Sequence, residues 1–212
     1  MEKIKPTQDS INKVNYIINK MNGNSFHNHY HILYDIANYI NRKYLTYMEI
    51  GTYAGGSASL MSMNENICKI FSIDIGYPIE QSVPTQNVNK FKHENCVYEY
   101  IKGDSRKIET ISLVKEKVGV VDILFIDGDH AYNSVIDDFN NYKDLISKGG
   151  FIVFDDYLDK LHSPDVFYAV NNIIKNLSQD EFEIIGSIKY DLLKITNQPN
   201  LESSNEFILI KK

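Results

Sequence analysis

Residues 49 to 56 read Glu49-Ile50-Gly51-Thr52-Tyr53-Ala54-Gly55-Gly56, the spelling of a strand that turns sharply into a helix. Residues 44–50 supply a short apolar strand, and Gly51 begins a turn where glycine permits positive φ and close approach of another group. Outward from this turn the chain alternates. Residues 70–74 and 97–101 read as buried strands, 105–117 as a helix with Ile108, Ile111 and Val114 inward, and 121–127 (VDILFID) as the strongest strand of all. Val135, Phe139, Tyr142 and Ile146 then form a helical stripe that Gly149-Gly150 stops. Residues 151–154 are another apolar strand. Ser163-Pro164 has the form of a cap with proline at the first helical position, opening a helix to Leu177 that buries Phe167, Val170, Ile173 and Ile174. Residues 182–185 and 207–210 are the last two strands, a candidate antiparallel edge, and the polar stretches 78–95 and 195–205 read as loops.

Upstream, Ile11, Val14, Ile17, Ile18 and Met21 recur at helical spacing after Asp9-Ser10, a plausible cap. Asn22-Gly23-Asn24 breaks the pattern. A second helix follows, with Ile32, Leu33, Ile36, Tyr39 and Ile40 inward. Strands alternating with helices predict an α/β fold with a doubly wound, Rossmann-like sheet, helices on both faces and right-handed crossovers. Residues 1–45 form an N-terminal helical cap or lid, and 46–212 a single α/β catalytic domain.

The chain's 212 residues allow one domain with a substantial core. With 22 Lys and Arg against 28 Asp and Glu, the net charge of −6 disfavours a nucleic-acid partner. No stretch approaches the roughly 20 apolar residues of a membrane span. The opening MEKIKPTQDS carries no apolar secretory segment, so a cytoplasmic location is expected. Cys68 and Cys96 have no metal-site spacing and are expected to stay reduced.

Ligands of such sheets lie beyond the carboxyl ends of the strands, where the strand order switches. Gly51, Gly55 and Gly56 stand there. They do not spell the dinucleotide fingerprint, because Tyr53 occupies its second glycine position. That weighs against nicotinamide-dependent oxidoreduction. No Gly-Lys-Ser/Thr phosphate loop is present, and Glu49 would repel phosphate while suiting a cationic ligand end. Asp74 ends the next strand, where a carboxylate can accept hydrogen bonds from both hydroxyls of a ribose. An adenosine-type cofactor is expected.

Asp127 ends one strand and Asp155-Asp156 end another. Adjacent strand tips about 5 Å apart would let the three side chains converge on one ion. Carboxylates without a nearby thiolate suit a hard divalent cation, Mg2+ or else Mn2+ or Ca2+. Without it, the clustered charge should raise at least one pKa. His130, three residues beyond Asp127, has the pKa range of a general base. Asp129 is an alternative base, or else orients His130 or caps the next helix. His27, His29 and His31 alternate before the second helix, and a solvated helix entrance is the simplest reading of them. Tyr157 is a candidate for the acceptor pocket wall. Arg106 has no assigned role.

The blocks EIGTYAGGSA, FSID, KGDS, VDILFIDGDHAY and GGFIVFDD resemble the class I S-adenosylmethionine-dependent methyltransferases, and within them the metal-dependent O-methyltransferases of catechol and macrolide sugars. The resemblance spans about residues 30 to 212. It implies a seven-stranded sheet whose last strand is antiparallel. It also implies that Glu49, Gly51 and Tyr53 surround the methionine part of the methyl donor and that Ser57 bonds its carboxylate. Asp74 would hold the ribose, and Asp104 and Ser105 would border the adenine. Ser57 could equally be a helix-start hydroxyl satisfied locally. Two departures stand out: His130 replaces the catechol enzyme's lysine, and Asp156 its asparagine. Consecutive acids occur in the macrolide-sugar relatives, which tilts the acceptor toward a sugar-like hydroxyl.

The resemblance therefore implies divalent-metal-dependent methyl transfer to a hydroxyl of a small molecule, leaving S-adenosylhomocysteine (SAH). The competing readings are an N-methyltransferase acting on a small amine and a non-catalytic adenosylmethionine-binding or assembly protein. The first is disfavoured because Asp127-Gly128-Asp129-His130 stands where amine enzymes often carry Asn/Asp-Pro-Pro-Tyr/Phe. A homodimer through the N-terminal helices is a further expectation.

Overall fold

The computed structural model describes residues 4, 7–21, 30–188 and 206–212. Two helices, α1 (Gln8–Ile18) and α2 (His31–Ile40), precede the alternating part. There follow β1 (Leu45–Ile50), α3 (Gly56–Met61), β2 (Ile67–Asp74), α4 (Ser82–Phe91), β3 (Val97–Lys102), α5 (Ile108–Lys117), β4 (Val121–Ile126), α6 (Tyr132–Tyr142), β5 (Ile146–Phe154), α7 (Pro164–Asn176), β6 (Phe182–Ile188) and β7 (Glu206–Lys211).

The strands form one seven-stranded sheet in the order β3-β2-β1-β4-β5-β7-β6. The first five are parallel, and β7 pairs antiparallel with both β5 and β6. Sequence order runs one way from β1 to β3 and the other way from β1 to β4, so the switch point lies between β1 and β4. Those two central strands are buried along their whole length, which is why they read as near-continuous apolar runs.

Alternate residues feed two cores. Leu45, Tyr47, Ile123, Phe125 and Val153 face the layer of α1 to α4. Met48, Leu124, Ile126, Ile152 and Phe154 face the layer of α5 to α7. Burial of so many large side chains at about 25 cal/mol per Å2 is the main force holding the layers together.

The structure corrects several expectations. Thr7, not Asp9-Ser10, caps α1: its Oγ1 accepts from Ser10 N at 3.1 Å. Ser10 is instead buried and donates its hydroxyl to Asp35 of α2 at 2.8 Å, beside Thr7 Oγ1, which donates to Asp35 at 2.7 Å. Tyr39 is an exposed residue of α2, and Ile108 is 68% exposed, because α5 begins at that position and turns Thr110 inward along with the expected Val114. Tyr44 precedes β1 with φ of 64° and is exposed. The stretch 78–95 is not a loop: it contains α4, whose Pro84, Asn87, Val88 and Phe91 are buried at helical spacing. Helix α6 ends at Tyr142 and a 3-10 turn covers Lys143–Leu145. Ile146 and Gly149-Gly150 therefore belong to β5 rather than to a helix and its stop. Within α7, Phe167 and Ile174 are only partly buried, while Val166 and Ala169 join the core. Cys68 and Cys96 are free thiols. Asn22-Gly23-Asn24, His27, His29 and residues 195–205 lie outside the described residues.

Candidate active site

The turn after β1 is built on one obligatory glycine. Gly51 has φ of 81°, and a Cβ there would stand 2.0 Å from the Asp127 carbonyl oxygen. The parallel ladder continues past the strands on both sides, with Gly51 N donating to Ile73 O and Asp127 N to Ile50 O. The tips of β1, β2 and β4 are thereby held flush. Tyr53 also takes a positive φ, 45°.

A cavity of about 580 Å3 opens over these tips, within the usual range for small-molecule sites. At one end lie Tyr53, Asp74, Ile75, Tyr77, Asp104 and Ser105; at the other, Tyr30, Asp127 and His130. Asp74 accepts from Thr52 N (2.9 Å), Tyr53 N (3.1 Å) and Gly76 N (2.7 Å). It ties the β1 and β2 turns together while facing the cavity, and a carboxylate offers about four lone-pair sites in all. Asp104 lies under Arg106, whose Nε is 3.0 Å away, and these hydrogen bonds hold the Asp104 carboxyl below its usual range. Ser105 donates to the buried Asp138 at 2.6 Å, and its carbonyl accepts from Tyr142.

Glu49 and Ser57 are not part of the wall. The Glu49 carboxyl is wholly buried and accepts from Ser57 (2.6 Å), Ser72 (2.7 Å) and Tyr47 (2.8 Å). Burial raises its pKa, and the three hydroxyls oppose that rise. The Ser57 hydroxyl is satisfied locally, behind the turn rather than in the cavity. Gly55 caps α3 against Pro84 of α4.

The acid cluster forms where β4 and β5 end. Ile126 pairs with Phe154, and Asp155 N donates to Ile126 O, so Asp127 and Asp155 occupy neighbouring tips. Asp155 is 3% exposed. Asp156 follows with φ of 55°, a left-handed backbone rare for a non-glycine residue, and such strain concentrates at functional sites. Burial first, then the negative charges of Asp155 and Asp156, push the Asp127 carboxyl well above the ordinary range. His130 stands between the acids, its Nε2 3.3 Å from Asp127 Oδ1 and its Nδ1 3.6 Å from Asp156 Oδ2. Tyr30 donates to Asp127 Oδ2 at 3.3 Å, and burial beside these acids raises its own pKa.

The donor set is all oxygen and strongly anionic, which suits a hard cation. The side chains do not stand ready-grouped, however. Among the described residues no three His, Cys, Asp or Glu side chains form a metal-holding cluster. Asp127 and Asp156 direct oxygens to Tyr30, His130 and Ser163.

Of its expected parts, Asp129 takes that of fastening the start of the next helix. It accepts from Ala131 N, Ser134 Oγ and Arg106, binding the start of α6 to the Asp104 loop. Tyr157 is buried beside Phe207, ring centroids 4.7 Å apart, and does not line the cavity. His31 is buried at the start of α2. Three site residues carried no clear signal in the sequence. Arg106 bridges Asp104 and Asp129 on the cavity wall. Tyr30 was hidden inside the histidine cluster. Ser163 resembled a helix cap, yet its side chain makes no capping bond.

A family model described as a methyltransferase domain matches residues 48–157. An uncharacterised protein of Acanthamoeba polyphaga mimivirus is 38% identical over 205 residues, covering 93% of each chain. In structure the chain is similar to the O-methyltransferase from Bacillus cereus in complex with SAH, at 13% identity and a TM-score of 0.64 over 97% of this chain and 91% of that one. It is also similar to MycE methyltransferase of the mycinamycin pathway in complex with Mg, SAH and mycinamycin VI, at 18% identity and a TM-score of 0.63. That likeness covers 97% of this chain but 55% of the other. The shared architecture is the class I S-adenosylmethionine-dependent methyltransferase fold.

Proposed function

The chain belongs to the methyltransferase-domain family, and from that premise we propose that it moves a methyl group from S-adenosylmethionine to a hydroxyl of a small molecule. The observation that carries the reading is one cavity with two chemically distinct ends: Asp74, Asp104 and Ser105 at the first, Asp127 and His130 at the second. Asp74 would hold the ribose of the methyl donor, Asp104 and Ser105 would border its adenine, and the Gly51–Tyr53 turn would take its methionine part.

Asp127, Asp155 and Asp156 would hold a divalent cation, Mg2+ being the fitting choice, and it would supply charge stabilisation to the acceptor oxygen. The support is the crowding of carboxyls at these tips, where burial and then the charges of Asp155 and Asp156 raise the Asp127 pKa. His130 takes the acceptor's proton, and Tyr30 closes the reacting end from the N-terminal segment. In this reading residues 1–45 act as a cap over the catalytic domain of residues 46–212. The sugar-like acceptor rests on the consecutive acids Asp155-Asp156.

The test is transfer of a labelled methyl group to a panel of hydroxylated sugars and phenols, with and without a strong chelator. The expected result is turnover with Mg2+ that chelation abolishes, and loss of turnover in Asp155→Ala. Transfer that persists undiminished under chelation removes the cation from the account. Transfer to amines alone removes the hydroxyl.

A further inference from the structure

Ser163 has the sequence position of an N-cap, directly before Pro164 at the start of α7, but its hydroxyl is used elsewhere. Its Oγ lies 2.8 Å from Asp156 Oδ2 and 2.7 Å from His130 Nδ1. The residue sits at φ −132° and ψ 51°, and its side chain makes no bond to the helix it precedes. Asp156 is turned back toward it by a left-handed backbone. Two unusual local conformations thus converge on a single hydroxyl.

The direction of these bonds follows from the donors available. An ionised Asp156 can only accept, so the single Ser163 hydrogen goes to it. Ser163 Oγ must then accept from the imidazole, which requires a hydrogen on His130 Nδ1. A neutral ring with Nδ1 protonated has its lone pair on Nε2, the nitrogen that faces Asp127.

We propose that Ser163 is a positioning residue that holds His130 as the Nδ1–H tautomer through an Asp156–Ser163–His130 relay, aiming the Nε2 lone pair into the reacting end of the cavity. This rests on the methyl-transfer reading above. In that reaction the acceptor O–H bond breaks and its proton forms an N–H bond at Nε2. The freed oxygen pair forms the bond to the methyl carbon. The carbon–sulfur pair stays on sulfur, turning the sulfonium into a neutral thioether. The imidazolium left behind is stabilised through Nδ1–H, Ser163 and the Asp156 carboxylate, and a proton lost to solvent restores the base.

The experiment is 15N NMR of histidine-labelled full-length protein without added metal, at alkaline pH. The signal is assigned by its disappearance in His130→Gln. The expected spectrum has a protonated Nδ1 and a bare Nε2, kept in Ser163→Thr and converted to the Nε2–H tautomer in Ser163→Ala. A bare Nδ1 in the wild type overturns the proposal, as does an unchanged tautomer in Ser163→Ala. If Ser163→Ala fails to fold, the wild-type and Ser163→Thr spectra decide alone. In turnover, Ser163→Ala should lower kcat on the order of tenfold, a fraction of what a general base contributes, with KM for the methyl donor held. Ser163→Thr should recover it. A wild type with the expected tautomer that methylates nothing refutes the functional reading and leaves the relay standing.

Discussion

At the scale of single residues, the site depends on positions with no spare room or no spare partner. Gly51 has the sharpest constraint, since any Cβ collides with the carbonyl of Asp127. Gly51→Ala should cost more than about 3 kcal/mol, from a positive φ and a backbone clash together; chemical denaturation against wild type measures it. Asp138 gives a pH signature. Burial raises its pKa to about 7 from 3.8, so the folded state keeps a proton that the unfolded state has lost. Its contribution is complete below the unfolded pKa and is lost as pH climbs toward about 7. Asp138→Asn should therefore gain on wild type across that window by on the order of a few kcal/mol, less any loss at the Ser105 hydrogen bond. Denaturation midpoints at pH 4, 5.5 and 7.5 would show it. The acids and His130 were legible in the sequence because strand ends announce themselves. Ser163 and Tyr30 were not, because their roles depend on where a loop and an N-terminal segment fold back. Of the two readings of Ser57, the structure shows the local one, its hydroxyl donating to the buried Glu49.

At the scale of elements, α1 is fastened to α2 chiefly through Asp35, which accepts from Thr7 N, Thr7 Oγ1 and Ser10 Oγ. Asp35→Ala should destabilise that attachment by about 1–3 kcal/mol by removing the carboxylate that accepts from Thr7 and from the buried Ser10 hydroxyl. Hydrogen exchange should then quicken in α1 while β1 and β4 keep their protection. The element boundaries that sequence misread share a cause. Polar α4 conceals its spacing because Pro84 and Asn87 supply buried positions that apolar periodicity does not count. Ile146 continues the helical stripe of α6, but the 3-10 turn ends the helix and hands that residue to β5. Helix α5 presents Ile108 to solvent because the helix begins at that residue and turns Thr110 and Val114 inward.

For the whole molecule, alternation of strand and helix was enough to foresee a doubly wound sheet, and the five motif blocks were enough to foresee its inserted antiparallel strand. The order β3-β2-β1-β4-β5-β7-β6 puts every cavity-lining strand tip on one edge of the fold. Charge balance supplies a global test. A cation held by Asp127, Asp155 and Asp156, as proposed, would bind the folded state alone, so millimolar Mg2+ should raise Tm in the wild type and leave Asp155→Ala nearly unmoved. The most direct measurement is calorimetric titration of S-adenosylmethionine into wild type, Asp74→Ala and Asp155→Ala. The account predicts saturable one-to-one binding to wild type, loss of at least about tenfold in affinity when the ribose partner is removed, and near-wild-type affinity in Asp155→Ala. Equal affinity in Asp74→Ala and wild type, or no saturable heat in any of the three, would contradict it.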